Sequence, residues 1–134
     1  MRYLLDTSIC VHLLHGRQDV SNKIQSVGVE NCVLSEITKV ELLYGALCSD
    51  RPSENTEVVN SLCRLFPVVP ISGCVESFVE NKYKLRKAGM MIEDFDLLIA
   101  STALSEGCIL ATENIKHQNR IEGLVCENWV TKRK

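Results

Sequence analysis

Glycine and proline are scarce in this 134-residue chain, at seven and three, and aromatic residues make up only 5%. The first scarcity excludes collagen-like and low-complexity chains, and the interleaved charges of both signs exclude intrinsic disorder. The second leaves little material for a platform of aromatic rings on which bases stack. No apolar run approaches the roughly 20 residues of a membrane-spanning helix; the longest, residues 97–100 and the proline-interrupted 65–71, fall far short. Asp6 splits the apolar N-terminal stretch where a secretory leader needs an unbroken core. A net positive charge is missing too. The formal net charge is -2, so any nucleic-acid contact is local rather than spread over a basic surface. The seven cysteines are odd in number, irregularly spaced and without a C-x-x-C pair. They read as reduced, buried small hydrophobes, which implies a cytoplasmic location.

What is present is 46% hydrophobic and 24% charged sequence, enough for one domain over residues 1–134. Residues 2–5 are short and apolar and stop at Asp6-Thr7-Ser8, a buried strand running into helix-capping residues. Residues 9–14 predict a short helix ended near Gly16, and Val20, Ile24 and Val27 the apolar face of another. Residues 32–34 predict a second strand. Ser35 then caps a helix whose apolar side carries Ile37, Val40, Leu43 and Leu47. Residues 50–54 read as a loop, Val58 to Phe66 as helix, and 67–71 as a short strand with prolines at its ends. Ser72 or Gly73 precedes an amphipathic helix closed by Gly89, and residues 94–105 form a helix apolar around most of its girth, hence buried. Residues 108–111 predict a strand stopping at Thr112-Glu113-Asn114, and 124–126 a last edge strand. The alternation implies an α/β sandwich, a central and mostly parallel sheet flanked by helices. Ligands gather at the carboxyl ends of such strands, so Asp6 and residues 112–114 share one rim.

Three acidic residues interrupt apolar surroundings: Asp6, Glu41 and Asp96. Each has an ordinary structural reading as a cap, a solvated helix face or a dipole partner. Thr38, Glu41 and Gly45 share one helical face, where the glycine leaves room for a close approach. Asp94 and Asp96 cannot point the same way, so Asp96, aligned with the small Ala100 and Ala103, goes to the site and Asp94 to the cap or to a supporting place behind the site. Clustered carboxylates repel by roughly 4 kcal/mol per pair at about 4 Å and an effective dielectric of 20. No Lys or Arg lies in these motifs, and an all-oxygen donor set suits Mg²⁺ or Mn²⁺.

The ordered blocks Tyr3-Leu4-Leu5-Asp6-Thr7-Ser8, Ser35-Glu36-Ile37-Thr38 running into Glu41-Leu42-Leu43-Tyr44-Gly45-Ala46, Asp96-Leu97-Leu98-Ile99-Ala100, Leu110-Ala111-Thr112-Glu113-Asn114 and Ile121-Glu122-Gly123-Leu124 to Asn128-Trp129 resemble the signature of PIN-domain ribonucleases. Within that family the chain is most similar to the VapC toxins of bacterial toxin–antitoxin pairs. The resemblance covers nearly the whole chain. It implies a Mg²⁺- or Mn²⁺-dependent endoribonuclease with Asp6, Glu41 and Asp96 as metal ligands and Thr7 or Thr112 as polar support. It also implies an RNA substrate, a homodimer, and a cognate antitoxin whose C-terminal segment crosses the acidic rim. Two departures stand out: Asn114 follows Glu113 where the family often has a fourth acid, leaving open which of the two completes the site, and Gln118 replaces a common Phe.

Other readings stay in view. An Asp after the first strand is also where haloacid-dehalogenase-like phosphatases keep a nucleophile, but Ser8 occupies the place of their second Asp. A non-catalytic PIN-like binder of RNA or antitoxin is the third. His12, His15 and His117 read as solvated, Trp129 as an edge-packing anchor, and the basic residues Lys82, Lys84, Arg86, Lys87 and 132–134 as a solvated face.

Overall fold

The computed structural model describes residues 1–131; Lys132, Arg133 and Lys134 of the basic tail lie outside the described residues. Five strands form one sheet in the order β3-β2-β1-β4-β5: β1 Tyr3–Leu5, β2 Cys32–Ser35, β3 Val68–Val69, β4 Ile109–Ala111 and β5 Cys126–Glu127. Every pairing is parallel, with Leu4 opposite Val33 and Leu110, and Leu5 opposite Ala111. The helices are α1 Thr7–Leu14, α2 Gln18–Val27, α3 Glu36–Leu47, α4 Pro52–Leu65, α5 Val75–Lys87, α6 Asp94–Glu106 and the one-turn α7 Ile115–Gln118. Among the described residues no helix is long and apolar enough to cross a membrane.

Because successive strand residues face opposite ways, the sheet sorts its side chains into two cores. Leu5, Cys32, Leu34 and Ala111 pack with Ile9, Val20, Leu42, Val59 and Phe66 under α1 to α4. Leu4, Val33 and Leu110 pack with Leu85, Leu97, Ile99 and Ala103 under α5 and α6. Ser35 caps α3 as expected, its hydroxyl accepting from the Ile37 N–H at 3.1 Å. Gly107 ends α6 in the left-handed region at φ 65°, where a side chain would be strained. Trp129 is an edge anchor: it is buried, its ring centroid lies 5.5 Å from that of Tyr3, and its Nε1 donates to Glu127.

Several expectations need correction. Pro52 opens α4 rather than sitting in a loop, because its fixed φ and missing N–H suit a first helical position. Residues 71–74 form a 3-10 turn, so Cys74 rather than Ser72 or Gly73 precedes α5. The last strand is Cys126–Glu127, one step beyond the apolar run, since pairing with Leu110 and Ala111 sets its register. Asp94 does not cap α6; Glu93 is the cap residue, and Asp94 pairs with Lys82 Nζ at 2.9 Å. The cysteines are all free, but only Cys10, Cys32, Cys74 and Cys108 are buried, and Cys48 is exposed at the end of α3.

Candidate active site

The strand order changes direction between β1 and β4, which opens a crevice beyond their carboxyl ends. Asp6 leaves β1 there, tied to the neighbouring strand by its backbone N–H on the Ala111 carbonyl at 2.9 Å. α3 delivers Glu41 and α6 delivers Asp96 into the same space. Asp6, Thr7, Ser8, Glu41, Asp96, Glu113 and Asn114 together line one open pocket of about 360 Å³. All the site residues expected from sequence except Thr112 are thus on its wall, and Thr112 sits directly behind.

Asp6 serves both of its readings. Its Oδ1 accepts from the Thr7 N–H at 2.7 Å, capping α1, while Oδ2 accepts from the buried Thr112 hydroxyl at 2.6 Å. Thr112 Oγ1 in turn accepts from the Asn114 N–H at 2.9 Å, so the loop after β4 is fastened to Asp6. Glu41 is held from the other side: the Thr7 hydroxyl donates to its Oε1 at 2.6 Å. That hydroxyl has one proton, so its 3.0 Å contact with Thr38 runs from Thr38 to Thr7. Thr38 is fully buried and therefore supports Glu41 from beneath instead of sharing a bare polar face with it. A Cβ at Gly45 would meet nothing within 4 Å, so the expected close approach does not come from this chain.

Asp96 has no partner on its carboxylate among the described side-chain hydrogen bonds. Its backbone carbonyl accepts from Gln118 Nε2 at 3.3 Å, and Gln118 is fully buried with its Oε1 unpartnered. The glutamine in place of an aromatic thus ties α7 to the start of α6. Glu113 lies against His12, Oε1 to Nε2 at 2.5 Å, across a sequence separation that no local pattern could reveal. Ser8, the position a phosphatase would fill with acid, accepts from the Glu113 N–H at 3.5 Å.

The electrostatics are those of uncompensated acids. Burial pushes the Asp6 carboxyl above the usual carboxylate range, the Thr112 and Thr7 bonds pull it partly back, and Asp96 and Glu41 repel it upward. Asp96 is raised by burial and by Glu41 and Glu93, with His117 opposing. Among the described residues no three His, Cys, Asp or Glu side chains stand close enough to chelate one ion by themselves. The donors are hard oxygens spread around an open pocket, an arrangement that fits a small divalent cation keeping part of its water shell.

These shifts have a sign. A carboxyl raised above its unfolded value of about 3.9 holds its proton more tightly in the folded chain, so stability falls as pH rises through that window. Asp19 works the other way at lower pH, because the Thr131 backbone N–H, then Arg17 and the Thr131 hydroxyl, hold its carboxyl down. Above about pH 4, where Asp19 is already ionised, the metal-free protein should lose stability as the pH rises, and saturating Mg²⁺ should shrink that loss. A series of thermal scans in chelator whose melting point climbs from about pH 4 upward with no falling part would contradict this.

A second cleft of about 410 Å³ shares Thr7 and Glu41 with the acidic pocket and runs between α1, α3 and α4 over Val11, Leu14, Gly45 and Val58. The comparisons with known proteins agree with this architecture. Ribonuclease VapC2 of Rickettsia felis is 33% identical over 132 residues, covering 96% of this chain and 98% of that protein. The tRNA(fMet)-specific endonuclease VapC of Shigella flexneri is 26% identical over 130 residues, with 96% and 98% covered. The crystal structure of VapBC2 from Rickettsia felis bound to a DNA fragment from their promoter has a chain of TM-score 0.90 and 30% identity, spanning 97% of this chain and 100% of that one. With the PIN-domain family model matching residues 3–124 besides, the chain belongs to the PIN-domain family, among the VapC ribonucleases.

Proposed function

We propose that this chain is a divalent-metal-dependent endoribonuclease, the toxin of a toxin–antitoxin pair, with Asp6, Glu41 and Asp96 as the residues that hold Mg²⁺ or Mn²⁺. The observation that carries this reading is the meeting of three carboxylates, from the end of β1, from α3 and from α6, in one pocket with no lysine or arginine on its wall among the described residues. A bound cation there would offset the carboxylates, attract a phosphodiester and make water acidic enough to attack phosphorus. The chain's own residues prepare the place. Thr7 and Thr112 hold Asp6 in one orientation, and Thr7, backed by Thr38, holds Glu41. Asp96, the least tethered of the three, can adjust as a substrate phosphate enters. Glu113, engaged by His12, and Asn114, whose backbone is bonded to Thr112, close the pocket's far side as supports.

A cognate antitoxin fits the same surface. The apolar cleft beginning at Thr7 and Glu41 is continuous with the acidic pocket, so an antitoxin segment seated there can reach the carboxylates with an Arg or Lys. Val75, Val79 and Tyr83, spaced four apart and all exposed on α5, offer an apolar stripe to a second copy of the chain in a homodimer. Free thiols and an RNA substrate suit the reducing cytoplasm.

The test is cleavage of bacterial RNA by purified protein. Cutting should vanish in chelator and return with Mg²⁺ or Mn²⁺, and the antitoxin partner should suppress it. Undiminished cutting in chelator would refute the metal-dependent reading, and no cutting with either ion would leave a binder rather than an enzyme.

A further inference from the structure

Asp96 borders a third cleft that the proposed chemistry does not use. It has a volume of about 540 Å³ and is lined by Met91, Ile92, Glu93, Asp96 and His117. Clefts of this size hold small organic groups. Its far wall is the connector between α5 and α6, where Met91 is half exposed and Ile92 is largely covered. That wall is fastened: the Arg120 guanidinium donates to the Met91 carbonyl at 2.9 Å and the Met90 carbonyl at 3.4 Å. The opposite wall, α7 with His117, is held to α6 by the Gln118–Asp96 bond. The cleft is therefore set before anything enters it, which reduces the ordering cost of an occupant.

Its chemistry is specific in kind. Met91 and Ile92 present apolar, polarisable surface and His117 a flat ring, the materials on which a nucleobase packs. Glu93 adds a carboxylate that is exposed and takes part in no described hydrogen bond or ion pair, and an ionised carboxylate only accepts. Cytosine, adenine and guanine carry exocyclic amines that donate to such a group. Uracil has the acceptor O4 where cytosine has its amine and keeps its one donor on that edge at N3, so a carboxylate placed to meet the exocyclic group accepts from cytosine and opposes O4 of uracil. Asp96 is common to this cleft and to the acidic pocket, so a base lodged here belongs to a nucleotide beside the reacting phosphate.

We infer that this cleft receives the base flanking the scissile phosphate and that Glu93 makes it prefer a base with an exocyclic amine over uracil. The inference rests on the ribonuclease reading of the acidic pocket and adds a specificity element to it.

The experiment digests total bacterial RNA with the parent protein in Mg²⁺, maps the product ends, and transcribes the cleaved RNA with cytosine or uracil at each position beside the cut. At one such position the parent should cut the cytosine form about five- to tenfold faster by kcat/KM, the upper range of an ordinary net hydrogen bond, since exposure of Glu93 to solvent offsets the gain from its charge. Glu93→Gln, whose amide both donates and accepts, should bring the two within about twofold, since a ratio within one protein cancels any effect of Glu93 on Asp96. Met91→Ala should weaken cutting of both forms about fivefold and keep the preference, as loss of packing without loss of the acceptor. The same order should appear without catalysis, in the fluorescence anisotropy of dye-labelled RNAs bound to the Asp6→Asn protein. A parent that cuts RNA with no cytosine-over-uracil preference, or a preference that survives Glu93→Gln, overturns the subsite and leaves the nuclease standing. A parent that cuts nothing while Asp6→Asn protein still shows the Glu93-dependent preference in binding overturns the nuclease and keeps the subsite.

Discussion

Replacing Asp96 with Asn should lower RNA cleavage by about 10²- to 10⁴-fold while leaving the fold intact. The amide has nearly the shape of the carboxylate, so what is removed is charge. A cation's stabilisation of a phosphoryl transition state is worth several kcal/mol, and each 1.36 kcal/mol is tenfold in rate. Losing one of three anionic holders forfeits a good part of that. The same substitution relieves the repulsion from Glu41 and Glu93 and takes an ionisable group out of a partly desolvated place. In metal-free buffer the variant should therefore be at least as stable as the parent, and RNA should bind it no more weakly, with one negative charge fewer facing the phosphates. Initial rates on a cleaved RNA, anisotropy in chelator and a thermal scan read the three effects separately. In cells, expression of the parent should arrest growth and expression of Asp96→Asn should not. Equal cutting by parent and variant would place the chemistry elsewhere or in a contaminating nuclease.

The largest stability loss should follow Phe66→Ala. Phe66 is 1% exposed at the end of α4 and packs in the core formed with Leu34, Leu42, Val59 and Leu62. Truncating a buried Phe costs about 3–5 kcal/mol through lost burial and the cavity left behind, against a total of about 5–15 kcal/mol for a typical domain. The urea midpoint should fall accordingly with an unchanged slope. The damage reaches function through α3, which packs on α4 and carries both Glu41 and the buried Thr38. A midpoint within error of the parent would mean that the α3–α4 core collapses around the gap at little cost.

Much of this molecule follows from local chemistry. Short apolar runs that stop at Asp6 and Thr112, and at Ser35, which is the last residue of β2 and also the cap of α3, mark the strand ends because an uncapped polar group is costly in a sheet covered on both faces, and those ends mark the functional rim. Asp6, Glu41 and Asp96 are legible because a carboxylate inside an apolar run is costly unless something requires it. Three other features depended on tertiary structure. The register of β5 is set by β4 and the α6 cap falls on Glu93, since pairing and helix geometry override composition over one or two residues. The pairing of His12 with Glu113 and the relay from Thr38 through Thr7 to Glu41 join residues 101, 31 and 34 positions apart. The cleft beside Asp96 lies between the α5–α6 connector, which Arg120 holds, and α7, which Gln118 holds to α6. Periodicity reports which face of an element is buried, and it is silent on which distant side chain arrives at that face, because that is decided by the strand order and the packing of helices across the sheet.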